Sequence, residues 1–257
     1  MIIQANSPFR NLPANLDHKQ ILFFDGIRYA VEMIDVAYSR LRTTLNQLSY
    51  LDLSGKKLKA DVSVMSLKSS VFLDAWSIVD SINRYRVLIN QMPNLKRRDF
   101  GIDKFMQGTD NVLKLRNGVQ HLPKEIHKLV KKNLPVWGAL SWFAIIDIKG
   151  QIGRSCILGS GTFRQHLSTM KIPVGKTIQA PIDCIVLSAY ENDFELTEAV
   201  NLSFDLFREI ERSLIKKIEG QETTESDFQM YLDLKFKDEV TEGSLTNEYL
   251  YTKIDKI

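Results

Sequence analysis

Cysteine is nearly missing from this chain: 257 residues hold only Cys156 and Cys184. That excludes a disulfide-dense secreted scaffold. Neither cysteine belongs to a C-x-x-C pair, and His166 is the one histidine between them, so no zinc or other metal site is expected. A surplus of one charge is missing too. Lys and Arg number 34 against 31 Asp and Glu, which is too even for a protein that wraps nucleic acid over its whole surface but leaves room for local basic patches. Long apolar runs are absent: the most apolar stretch, 134–146, contains Pro135 and Gly138 and is too short to span a bilayer. Residues 1–6 lack the basic start and apolar segment of a signal peptide, so a cytoplasmic protein without membrane partners is expected. Nucleotide-binding glycine patterns are incomplete. Gly175-Lys176-Thr177 lacks the upstream glycine of a P-loop, because position 170 is Met170, and Gly159-Ser160-Gly161 lacks the third glycine of a dinucleotide fingerprint. No cofactor is expected.

What is present is periodicity. The chain is 44% hydrophobic and 25% charged, enough for one domain, 1–257, with a sizeable core. Ile27, Val31, Ile34, Tyr38, Leu41 and Leu45 recur at helical steps, predicting a helix over 20–50. A polar connection at 51–57 precedes a second helix over 60–91, with an apolar stripe of Val71, Ala75, Val79, Ile82 and Ile89 and a stop at Pro93. A third covers 102–121 (Val112, Leu115, Val119), and Pro123 opens a short continuation through Lys132. From 136 to 190, β-branched and aromatic residues alternate with turn residues. Strands near 138–148, 153–159, 176–180 and 182–189 make an antiparallel meander. Asn192 and Glu195 have capping-box spacing at the start of a last long helix, 192–219, which Gly220 would cap. A polar linker over 221–227 leads to a strand at 230–237 and a loose tail. The expected class is therefore α+β, mainly α: a four-helix bundle (20–132 and 192–219) with a small antiparallel sheet inserted before its last long helix, and a C-terminal strand and tail over 221–257.

Six residues inside the third helix carry chemistry: Arg116-Asn117-Gly118-Val119-Gln120-His121. Cutting RNA without a metal needs a base for the 2′-hydroxyl, a cation for the crowded phosphate and an acid for the leaving oxygen. Imidazole, with an ordinary pKa of about 6.5, suits the proton transfers. A guanidinium suits the phosphate because its planar fork donates two parallel hydrogen bonds. An amide orients. On a helix Asn117 and His121 share a face, whereas Arg116 lies about 140° from His121, so two such helices facing each other across a dimer axis make the better site. Gly118, costing about 1 kcal/mol in mid-helix, marks close packing. Asp80 and Arg84, spaced for an ion pair on a polar stripe of the second helix with Asp74, Ser77 and Ser81, are expected to hold Arg116 or Asn117 in position. Lys124, Lys128 and Lys131 share one helix face and suit an RNA backbone. Trp137, Trp142 and Phe143 are expected mainly in the core, with base stacking as their alternative role.

The hexapeptide and its helical setting resemble the HEPN superfamily of compact helical domains, whose motif is an arginine, a polar residue and a histidine four to six positions after the arginine. Arg116, Asn117 and His121 match it. The resemblance implies a metal-independent endoribonuclease, acting as a toxin or defence effector, that dimerises so that two motifs line one cleft. His121 would be the general acid–base, Arg116 the phosphate clamp and Asn117 the orienting group. It also implies RNA as substrate and a small nucleotidyltransferase antitoxin as partner. The inserted sheet lies outside the common bundle. The alternative reading is a catalytically inactive helical module that binds a nucleotide, RNA or protein partner.

Overall fold

The computed structural model describes residues 2–51, 62–93, 95–96, 98–161, 173–175, 177–218 and 222–225. The elements run β1 (Asn11–Pro13), α1 (His18–Leu51), α2 (Val62–Gln91), α3 (Ile102–Gly108), α4 (Asn111–Gln120), α5 (Leu122–Lys132), β2 (Ala139–Asp147), β3 (Ile152–Gly159), β4 (Ile182–Ala189), β5 (Asn192–Glu195), α6 (Leu196–Ile218) and β6 (Thr223–Glu225). The protein is mixed α+β and mainly helical, with a small antiparallel sheet. No helix among the described residues is long and apolar enough to cross a membrane.

The two long helices form an antiparallel hairpin. Gly26 lies against Leu88, and the Arg40 guanidinium reaches Asp74, 3.1 Å away. Their facing stripes, with Ile27, Val31, Ile34, Leu41 and Leu45 on α1 and Val71, Ala75, Val79, Ile82 and Ile89 on α2, are buried. Helix α6 adds Leu196, Val200, Phe207 and Ile210, and the sheet adds Leu140, Trp142, Ala144, Ile185 and Leu187, to the same cluster. A buried aliphatic or aromatic side chain contributes about 1.5–3 kcal/mol, so this continuous cluster is what fixes the helices on one another. The N-terminal arm joins it: Ile3 and Phe9 are fully buried, and Phe9 packs on Phe24 and Phe207.

Five expectations need correction. The N-terminal arm carries β1, which pairs with β6 (Leu12 opposite Thr224) inside the stretch expected to be a polar linker. The helix expected over 102–121 breaks at Thr109 and Asp110. There the Met106 carbonyl, due to accept from Asp110 in an unbroken helix, accepts from Arg86 Nη1 (2.5 Å), and the Thr109 hydroxyl donates to the Phe105 carbonyl (2.6 Å). The sheet is no meander. Its order is β3-β2-β4-β5, so β4 pairs with β2 rather than β3. β4 buries most of its length, which calls for neighbours on both sides, whereas β3 is largely half-exposed and takes an edge.

The last long helix begins at Leu196, not near Asn192, because Asn192 and Glu195 belong to β5. Strands β4 and β5 are joined by Tyr190 and Glu191, at φ 50° and 63°, a two-residue turn of the primed kind that matches the twist of a hairpin. The Asn192 amide donates to the Tyr190 carbonyl (2.6 Å) instead of capping a helix. No strand forms over 177–180 among the described residues. The connection expected at 51–57, apart from Leu51, the cap at Gly220 and the strand at 230–237 lie outside the described residues.

Candidate ribonuclease site on helix α4

Helix α4 turns Val112, Leu115 and Gly118 to the core and Asn117 to the outside. Gly118 permits a close approach: a methyl group there would stand 2.5 Å from the Tyr190 ring. Tyr190 itself is fixed, with its hydroxyl donating to the Val136 carbonyl (3.1 Å) and its ring edge-on to Trp76. Burial, with the nearby Glu125 carboxylate adding to it, raises the Tyr190 pKa. Lys132 pairs with Glu191, and the Asn111 amide donates to the Asp193 carbonyl (3.1 Å), so the β4–β5 turn is docked on α4 and α5.

Arg116 leaves α4 toward α2. Its Nε donates to Asp80 Oδ1 at 3.2 Å, and Asp80 Oδ2 accepts from Arg84 Nε at 2.6 Å. One carboxylate thus spans two guanidinium groups. Among the described residues, neither Nη of Arg116 has a partner, and the side chain is 35% exposed. The contact expected between Asp80 and Arg116 is therefore present. The rest of the expected stripe lies elsewhere: Ser81 is fully buried, and Asp74 pairs with Arg40 of α1. Burial raises the Asp74 pKa, and Arg40 opposes the shift.

His121 closes α4 and opens α5, with φ −104° and ψ 25°. Its N–H donates to the Asn117 carbonyl, and its own carbonyl accepts from the amides of Lys124 and Glu125. The imidazole and the Asn117 amide are exposed and have no hydrogen-bond partner among the described residues. None of the four clefts whose walls are described contains Arg116, Asn117 or His121. Five residues along a helix rotate a side chain by about 140°, and Asp80 draws Arg116 toward α2. Of the three lysines, Lys128 is engaged by Glu125 at 2.8 Å, which reduces the basic face to Lys124 and Lys131. His127 is exposed on α5.

Two features escaped the sequence reading. Arg86, its side chain 10% exposed, donates to the Met106 carbonyl and the Thr109 hydroxyl and lies 3.5 Å from Asp110. Its signal was a charged residue in phase with the apolar stripe, four after Ile82 and three before Ile89. The second is a cleft beside Trp76 and Trp137, for which the sequence held no signal beyond the two indoles. Among the described residues no group of three or more His, Cys, Asp or Glu side chains gathers as for a metal, and His166 lies outside them. Set against known protein families, curated proteins and solved structures, the chain matches none.

Proposed function

We propose that this protein is a metal-independent endoribonuclease of the HEPN type, with α1, α2, the α3–α4 segment and α6 as the four helices of the bundle and a catalytic cleft completed by a second copy. The observation that carries this reading is the state of Arg116. Among the described residues it is anchored through Nε alone, which leaves both terminal nitrogens to fork onto a phosphate. Asp80, clamped by Arg84, supplies the anchor. The surrounding face supports the two-copy arrangement. Val87 on α2 (44% exposed) and Leu113 on α4 (41% exposed) leave apolar surface beside the Asp80–Arg84–Arg116 charges, as a covered interface would. Facing copies of α4 then present an arginine from one and an exposed histidine from the other to one phosphodiester.

In this mechanism His121 takes the 2′-hydroxyl proton. The 2′-oxygen bonds to phosphorus, the P–O5′ bond breaks, and an imidazolium protonates the departing 5′-oxygen. The products are a 2′,3′-cyclic phosphate and a 5′-hydroxyl. Arg116 neutralises charge on the non-bridging oxygens, and Asn117 orients one of them. RNA incubated with EDTA should be cut by the wild type and spared by His121→Ala, a loss of about 10²–10⁴-fold. Equal rates would remove the mechanism.

A second reading, the silent helical binding module, is favoured because none of the four described clefts contains Arg116, Asn117 or His121. It expects no cleavage by either protein, with ligand binding that His121→Ala leaves intact.

A further inference from the structure

The chain has three tryptophans, and the structure puts them to different uses. Trp142 is core: it is 4% exposed and donates to the Ser49 hydroxyl. Trp76 and Trp137 instead border a cleft of about 540 Å3 between α2 and the end of β3, within the range of about 300–1,000 Å3 typical of ligand sites. Phe72, Leu73 and Leu158 complete its apolar walls, Lys68 lines it too, and among the described residues no carboxylate does. Trp137 is 48% exposed.

The Trp76 indole and the Trp137 backbone are held in place. Trp76 Nε1 donates to the Trp137 carbonyl (3.2 Å), and its ring rests edge-on against Tyr190. The Trp137 amide donates to the Ser160 hydroxyl, which in turn donates to the Gly138 carbonyl (3.0 Å). Gly138 sits at φ 80°, where a methyl group would meet the Ser188 carbonyl at 2.4 Å, so the backbone beside Trp137 is fixed too. A half-open indole on a fixed backbone costs little ordering when a flat ring stacks on it.

We propose that the Trp76–Trp137 cleft binds an unpaired base of single-stranded RNA, with the base stacked on Trp137 and the adjoining phosphate drawn to Lys68. This deepens, and rests on, the ribonuclease reading. Position argues for it: Trp76 lies one turn, about 6 Å, before Asp80 on α2, and Tyr190 touches both Trp76 and the Gly118 face of α4. Charge argues for it as well, since among the described residues its wall holds one lysine and no carboxylate, which suits a polyanion.

The test uses an uncleavable single-stranded 2′-O-methyl oligonucleotide and the full chain. Trp137→Ala should weaken binding about tenfold or more, since a base–aromatic stack is worth about 1–3 kcal/mol. Trp137→Phe should retain most of it. An unchanged unfolding midpoint in Trp137→Ala would assign the loss to the cleft. An abasic strand of equal length should bind the wild type as weakly as the base-bearing strand binds Trp137→Ala. Equal binding by wild type and Trp137→Ala, equal binding of abasic and base-bearing strands, or duplex binding as tight as single-strand binding would each overturn the proposal. If the wild type cuts RNA but Trp137→Ala binds unchanged, the base site alone fails. If Trp137-dependent binding holds and no RNA is cut, the nuclease reading alone fails.

Discussion

Arg86 and Arg116 sit on helices packed against each other, and their environments differ in kind. Arg86 is closed: its guanidinium meets a carbonyl, a hydroxyl and the Asp110 carboxylate, and 10% of the side chain is exposed. Arg116 is open, with one nitrogen on Asp80, two without partners among the described residues, and 35% of the side chain exposed. A guanidinium taken out of water must satisfy its donors inside the protein, because each one left over costs about 1–3 kcal/mol. A guanidinium meant for a ligand keeps donors in reserve at a wetted surface. The first arrangement builds the α3–α4 junction, and the second leaves a place for an anion.

The contrast can be broken from either side. The largest structural effect should come from Arg86→Met, which strips partners from Met106, Thr109 and Asp110 and should cost about 2–4 kcal/mol in denaturant unfolding. Arg116→Met should cost less than about 1 kcal/mol by the same measurement, because a half-exposed ion pair contributes little. Similar costs for the two would erase the distinction.

A smaller effect is expected at the floor of α4. Gly118→Ala gains about 1 kcal/mol of helix propensity. It also drives a methyl group into the anchored Tyr190 ring, at an overpacking cost of about 1–3 kcal/mol. The unfolding midpoint should therefore fall, and a rise would show that the β4–β5 turn yields freely.

The smallest effect concerns Asp74, buried where Asp80 is half-exposed. Burial raises its pKa, so the fold favours the protonated carboxyl. The stability that proton lends is present in acid and is lost as the pH climbs through the raised value. Asp74→Asn should remove that decline between acid and neutral pH and lift the melting temperature at neutral pH. An unchanged pH profile would contradict this.

The helical parts were legible because burial imposes a period: every apolar stripe named on α1 and α2 faces the core or packs against it. Gly118 was legible for a similar reason, since a costly residue in mid-helix implied the contact that Tyr190 makes. The break at Thr109 was not, because it depends on Arg86 arriving from 20 residues away to take the Met106 carbonyl. Nor was β5. Asn192 and Glu195 have the spacing of a cap, and the hairpin pairing of Ala189 with Asn192 overrode that local preference. At the candidate site, sequence brought Asp80 to Arg116 through charge and spacing. It gave no account of the Trp76–Trp137 cleft, which residues 61 positions apart assemble only in three dimensions.

The most direct test of the central claim is the chemistry of the cut end. An RNA oligonucleotide digested in EDTA should yield, by mass spectrometry, a 2′,3′-cyclic phosphate on one fragment and a 5′-hydroxyl on the other. A single 2′-deoxy substitution at the scissile nucleotide should abolish that cut. Cleavage of the deoxy-substituted strand at an equal rate, or products ending in a 3′-hydroxyl, would contradict the roles assigned to Arg116 and His121.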